Sequence, residues 1–152
     1  METGAVEVVP RGRAGHGGLS PRKIYAAIPL IPIAILSIIV VSLTGNSYEK
    51  GYDDLLLSYT APAATFAIAA VIAGLWYALG KAESGASAGS ASATALASWA
   101  LGIVAFGFAC KLANYGDLVP GELKALLGMT ILLFLFETLY VILLHLVLVW
   151  TS

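Results

Sequence analysis

Cysteine and charge are both scarce in this chain of 152 residues, which has a single cysteine, Cys110, and only 11% charged residues. One cysteine excludes an internal disulfide framework. The net charge of −1 provides no general attraction for nucleic acid. Soluble domains carry about 25% charged residues, so this composition argues against an ordinary soluble domain.

The motifs of common enzymes and metal sites are missing as well. The sequence has no phosphate-binding glycine loop before a lysine, no nucleophile elbow, and no His-x-x-x-His or Cys-x-x-Cys spacing. Gly85 and Gly89 fall in a small-residue segment and make no nucleotide fingerprint. We therefore expect no enzymatic activity, no cofactor and no metal site.

Hydrophobic residues make up 59% of the chain and are gathered into four long runs. A helix of about 20 apolar residues crosses the hydrocarbon layer of a bilayer, and each run is long enough. The expected spans are about 24–43, 59–79, 88–110 and 123–150. The sequence thus predicts an all-α membrane protein, a multi-pass four-transmembrane-helix antiparallel bundle in one domain, 24–152, with the lipid bilayer around it.

The polar segments set the expected orientation of this bundle. Residues 1–23 show no apolar periodicity and are interpreted as a disordered basic tail ahead of a retained signal-anchor. The tail and Lys81 together hold five of the eight lysines and arginines. Cytoplasmic segments favour positive charge, so both termini should be cytoplasmic. The loop from Gly80 to Ser90 is interpreted as a flexible tether.

Two prolines, Pro29 and Pro32, interrupt the first run. Each removes a backbone donor and tends to kink a helix. The kink either lines a cavity or simply accommodates packing, and the sequence leaves both interpretations open.

Small residues recur at helical spacing in the second and third spans. Helices in lipid associate through close packing, which small side chains permit. The two rows are Ala63, Ala67, Ala70 and Gly74 in the second span, and Ala91, Ala95, Ser98, Gly102, Ala105 and Ala109 in the third. We expect these rows to meet inside the bundle, the alternative being that one row joins copies into a homo-oligomer.

Glu137 is the one acidic residue deep within a span. A charge at the membrane centre costs about 2.5 kcal/mol or more, and such residues face the protein interior or water. It is either a protonatable site for a transported solute or an interhelical hydrogen-bond clamp, with Ser98 among its expected partners. Tyr140 and His145, farther along the same helix, complete the candidate substrate-binding residues.

The second half of the chain resembles the plant abscisic-acid-induced plasma-membrane protein family (AWPM-type). The resemblance is carried by Ala97–Leu101, by Phe106–Lys111 and by Leu139–Tyr140 followed by Leu143–His145, in that order, over roughly residues 60–146. It implies a four-span plasma-membrane protein linked to abscisic acid, dehydration and cold. It also implies a part in admitting that hormone, a small weak acid with an apolar ring.

Two functions follow from these observations. The first is a stress-response tetraspan that facilitates hormone entry, with Glu137 and His145 meeting the carboxyl group. The alternative is a structural or assembly subunit of a larger membrane complex, without transport activity of its own. A polar cavity around Glu137 would favour the first function, and tight packing there would favour the second.

Overall fold

The computed structural model describes residues 21–50, 54–80, 85–114 and 120–151, and within them all regular structure is α-helical. The helices are α1 (Pro21–Ala27), α2 (Leu30–Glu49), α3 (Asp54–Leu79), α4 (Gly85–Ala113) and α5 (Gly121–Thr151). Four segments are long and apolar enough to cross a membrane: Ile24–Glu49, Leu56–Leu79, Ala86–Ala113 and Gly121–Val149. The four-span prediction is confirmed.

The helices extend beyond the runs from which they were predicted. The first span continues through Gly45 to Glu49, and α4 begins at Gly85, inside the segment interpreted as a flexible tether. α1 begins at Pro21, inside the segment interpreted as a disordered tail, while residues 1–20 lie outside the described part of the chain. A helix retains its backbone hydrogen bonds past the apolar run, so hydropathy marks the membrane-embedded part of a helix better than its ends.

The spans form a closed antiparallel ring. α3 packs against α2 and α4, and α5 packs against α4 and closes the ring against α2. Hydrogen bonds join Ser92 to His145 and Trp99 to Thr138, so α4 and α5 run in opposite directions. An ion pair between Lys50, just after α2, and Glu122, in the first turn of α5, ties the ends of those helices.

The bundle differs from a soluble protein in its outer surface, which carries large apolar side chains. Ile31, Ile72 and Trp76 are 66%, 62% and 75% exposed, as expected for side chains that face lipid. The buried polar residues are Ser37, Thr44, Ser47, Thr60, Ser98, Thr130 and Glu137. Several of these hydroxyls donate to the carbonyl one turn earlier in their own helix, such as Ser37 to Ile33 at 2.6 Å, which satisfies the donor without a second helix.

The first span is broken where the prolines lie. Ile28 and Pro29 form a turn between α1 and α2. In an α-helix the Ile28 carbonyl would accept from the residue four positions on, which is Pro32 and has no N–H. It accepts instead from the Ile31 N–H at 3.4 Å. The break lies beside a narrow space lined by residues of both helices and too small for a water molecule, so in this conformation the kink accommodates packing.

Candidate functional site

Glu137 lies near the middle of α5 and points into the bundle, where it is 4% exposed. The Ser98 hydroxyl on α4 donates to Glu137 Oε1 at 2.6 Å. Ser98 was one of the partners expected for Glu137 from the sequence. Among the described residues no cation lies within ion-pair distance of this carboxyl group, so the neutral acid is the form that suits its surroundings.

A glycine allows α4 to approach this carboxyl group closely. A Cβ atom at Gly102 would lie 2.8 Å from Glu137 Oε2 and 3.1 Å from Phe134 Cδ2. Carbon atoms need about 3.5 Å or more for favourable contact. Any larger residue at position 102 would therefore push the two helices apart or displace the carboxyl group.

Aromatic and polar contacts beside the carboxyl group strengthen the same interface. Trp99 Nε1 donates to Thr138 Oγ1 at 3.0 Å, and Thr138 in turn donates to the Phe134 carbonyl at 2.8 Å. The Phe134 ring stacks on Phe106 with centroids 4.8 Å apart and on Trp99 at 6.4 Å. The carboxyl group is thus held in a firmly packed contact between α4 and α5.

His145 lies two turns beyond Glu137 and joins a different partner. Its Nδ1 is 2.8 Å from the Val141 carbonyl, and its Nε2 is 3.4 Å from the Ser92 hydroxyl. A carbonyl can only accept, so Nδ1 carries the proton. The side chain is half-buried and links the last span to the start of the third.

Tyr140 faces a third environment. Its side chain is 3% exposed, and within the described part of the chain its hydroxyl has no hydrogen-bond partner. The nearest atoms that a Cβ at Gly74 would meet are the Tyr140 hydroxyl and the Leu30 side chain. This tyrosine therefore points toward α2 and α3, whereas Glu137 points toward α4.

Of the three predicted binding residues, only Tyr140 lines the cavity beside α1. The cavity beside Tyr140 is lined by Ala26, Ala27, Leu30, Gly74, Tyr77, Ala78 and Leu144 as well, and by neither Glu137 nor His145. Residues 137 and 145 are separated by eight positions, or about 12 Å along a helix. Glu137 and His145 make separate hydrogen bonds, to Ser98 and Ser92 respectively, and their part in binding a substrate stays a prediction.

Both rows of small residues are buried within one chain. The buried members are Ala63, Ala67, Ala70 and Gly74 in α3, and Ala91, Ala95, Ser98, Gly102, Ala105 and Ala109 in α4. At their glycines, however, neither row has the other as its nearest neighbour: Gly102 meets α5, and Gly74 meets α5 and α2. At these two positions the nearest side chains come from other helices, while α3 and α4 themselves pack directly against each other. Contact between the two rows stays a prediction.

Sequence reasoning passed over Ser92, Trp99 and Thr138 as contact residues. Thr138 follows Glu137 directly, and Trp99 follows Ser98, so both neighbours of the predicted pair also meet. Antiparallel helices bring residues of descending number against residues of ascending number. That rule alone would set residue 99 against residue 136, so the Trp99–Thr138 contact depends on the rotation of the two helices and could not be predicted from the Ser98–Glu137 pair.

Comparison with known proteins gives one match. The family model described as AWPM-19-like family matches residues 31–147, which is more than half of the chain and includes part of every span. No curated protein and no solved structure was found to match.

Proposed function

Because the chain belongs to the AWPM-19-like family, we propose that it is a plant plasma-membrane protein that acts in the abscisic-acid-linked response to dehydration and cold. The family resemblance, which the sequence motifs of the third and fourth spans carry, supports this assignment. The four membrane-spanning segments agree with it. The protein needs no catalytic activity for this part.

We further propose that the protein helps abscisic acid, a weak organic acid with an apolar ring, to cross the membrane. The observation that carries this proposal is the buried carboxyl group of Glu137, hydrogen-bonded to Ser98 in the middle of a bundle. Polar groups inside membrane spans are costly and mark solute pathways. A neutral Glu137 can donate a hydrogen bond to the carboxylate of a passing acid, and His145, when charged, can pair with that carboxylate nearer the end of the span.

Uptake into liposomes tests transport directly. We expect vesicles that contain the purified protein to take up labelled abscisic acid faster than protein-free vesicles. Glu137→Gln and Ser98→Ala should each slow this uptake severalfold, because they change the one carboxyl group in the core and its donor. Ser42→Ala is the matched control, since Ser42 is exposed and its hydroxyl bonds only to its own helix. Equal uptake with and without protein would reject the transport proposal.

One observation favours the alternative, a structural or assembly subunit. Gly102 brings α4 so close to Glu137 that the carboxyl group is packed as a clamp between two helices. Under this alternative, Glu137→Gln lowers thermal stability. Uptake stays at the level of empty vesicles for the variant and for the unaltered protein alike. Four spans also leave little room for the two repeats of an alternating-access carrier. We therefore expect a transporting form to be a homo-oligomer, or part of a larger complex, when its mass is measured by light scattering.

A further inference from the structure

The Tyr140 hydroxyl is the least explained polar group in the described core. It lies inside the bundle without a hydrogen-bond partner among the described residues. A phenol buried in this way normally finds a partner, and leaving a buried donor unsatisfied costs free energy that a phenylalanine would not incur. The Tyr140 hydroxyl is therefore available to donate a hydrogen bond to a bound molecule.

The hydroxyl borders a cavity with otherwise mostly apolar walls, which we call the Tyr140 pocket. Its walls come from α1, α2, α3 and α5: Ala26, Ala27, Leu30, Gly74, Tyr77, Ala78, Tyr140 and Leu144. In this conformation the pocket has no room for a water molecule. Water therefore cannot satisfy the hydroxyl from within this pocket while it is closed.

Half of the lining residues are alanine or glycine, and the other half are two leucines and two tyrosines. Gly74 is the tightest point, since a Cβ there would collide with the Tyr140 hydroxyl. The glycine thus provides the space that the hydroxyl occupies. The lining holds two phenols, Tyr140 and Tyr77, among apolar residues, as in small-molecule sites where a few polar groups fix the orientation of the ligand.

One wall of the pocket is attached by a weakened joint. Ala26 and Ala27 belong to α1, which is separated from α2 by the turn at Ile28 and Pro29. Pro29 and Pro32 remove two backbone donors at this joint, and the Ile28 carbonyl keeps only a 3.4 Å bond from Ile31. Proline is a common cause of sharp helix kinks, and with two backbone donors missing, fewer hydrogen bonds fix the angle between α1 and α2 here.

We propose that the Tyr140 pocket binds an apolar ring that carries one hydrogen-bond-accepting oxygen, and that α1 is the lid that tilts to admit it. The ring replaces lipid or empty space with contacts to alanine and leucine, and the oxygen accepts from Tyr140. This inference deepens the proposed function and rests on it only for the natural ligand, the ring-bearing weak acid. The pocket itself follows from the unpartnered hydroxyl, the cavity and the joint.

The Tyr140 hydroxyl can be observed directly by NMR. The full chain is produced with ¹³Cζ-labelled tyrosine and placed in phosphatidylcholine nanodiscs, and the Tyr140 signal is assigned as the one lost in Tyr140→Phe. We expect cyclohexanone, an apolar ring with one accepting oxygen, to shift this signal in a saturable way. Cyclohexane, which has no acceptor, should leave it near its starting position. Tyr59→Phe is the matched control, because Tyr59 is half-exposed and stacks on Phe108 away from the pocket.

Titration with abscisic acid separates this inference from the proposed function. A saturable shift with both cyclohexanone and the hormone supports both. A shift with cyclohexanone alone supports the pocket and rejects the hormone as its ligand. If neither compound shifts the Tyr140 signal, the pocket is not a binding site and the inference is overturned, whatever the uptake assay shows.

The lid is tested by repairing the joint. Pro29→Ala combined with Pro32→Ala restores both backbone donors without touching the pocket wall. We expect cyclohexanone to exchange at least severalfold more slowly in this variant, measured from the linewidth of the Tyr140 signal during titration. Unchanged exchange would show that the ligand enters without movement of α1 and would overturn the lid.

Discussion

Polar side chains inside this bundle differ in what satisfies them. Ser37, Thr44 and Thr60 donate to carbonyl groups of their own helices, so they add polarity without fixing a neighbour. Ser98 and Glu137 satisfy one another across two helices. A bond of the second kind specifies which helix faces lie together, because either partner alone would be an unsatisfied polar group in a nonpolar interior.

Gly102 and Gly107 form a matched pair for measuring how closely α4 and α5 approach. Gly102→Ala places a methyl group within 3.1 Å of Glu137 and Phe134, whereas Gly107 has nothing within 4 Å of the equivalent position. We expect Gly102→Ala to destabilise the folded protein by about 1–3 kcal/mol through overpacking. Gly107→Ala should be neutral or stabilise it by up to about 1 kcal/mol, because alanine favours the helix.

Unfolding in mixed micelles, followed by circular dichroism, measures both variants. The larger Gly102→Leu substitution should prevent folding rather than only change the oligomeric state, since Gly102 is buried within one chain. A Gly102→Leu protein that folds normally but no longer self-associates would contradict this view.

The spans differ in the interactions that join them to their neighbours. Three side-chain hydrogen bonds connect α4 to α5 among the described residues: Ser92 with His145, Ser98 with Glu137, and Trp99 with Thr138. The first span instead meets its neighbours mainly through apolar packing and is interrupted at Pro29. Because hydrophobicity does not drive association in lipid, we regard α4 and α5 as the stable half of the bundle and α1 as its least constrained element.

Trp99 provides the test of the α4–α5 interface. Trp99→Phe keeps an aromatic ring beside Phe134 and removes only the Nε1 donor to Thr138. We expect a loss of about 0.5–1.5 kcal/mol in unfolding free energy, the net value of one hydrogen bond. Trp76→Phe is the control, since Trp76 is 75% exposed and its replacement should change stability by less than about 0.5 kcal/mol. Equal losses in the two variants would contradict a specific Trp99–Thr138 contact.

Within the described residues the molecule has four candidate crossings, an even number, so the start of the first span and the end of the last lie on the same side of the membrane. The excess of lysine and arginine in residues 1–23 and at Lys81 predicts that this side is the cytoplasm. We expect tags at both ends to be protected from protease in sealed, right-side-out plasma-membrane vesicles, and a tag inserted beside Lys50 to be cleaved. Cleavage of only one terminal tag would show an odd number of crossings, and cleavage of both would show the opposite orientation.

The sequence predicted the candidate site unevenly. Ser98 was expected as one of several possible partners of Glu137, because an ionisable group inside a span needs a polar partner, and the structure selects it. Tyr140 and Gly74 were each singled out, but their contact was not foreseen. They lie on spans that are not consecutive, so their meeting depends on how the ring closes, which hydropathy does not encode.

Length and apolarity of the four runs were enough to establish the number of crossings, because a hydrocarbon layer of about 30 Å admits no alternative for 20 apolar residues in a row. The sequence did not determine which helix faces lie against one another. Every span is coated with similar apolar side chains, so lipid contact hardly distinguishes one rotation of a helix from another. Close packing at Gly102 and Gly74 and the few buried hydrogen bonds select the rotation. For that reason the separation of Glu137, His145 and Tyr140 into three environments emerges only once the helices are assembled.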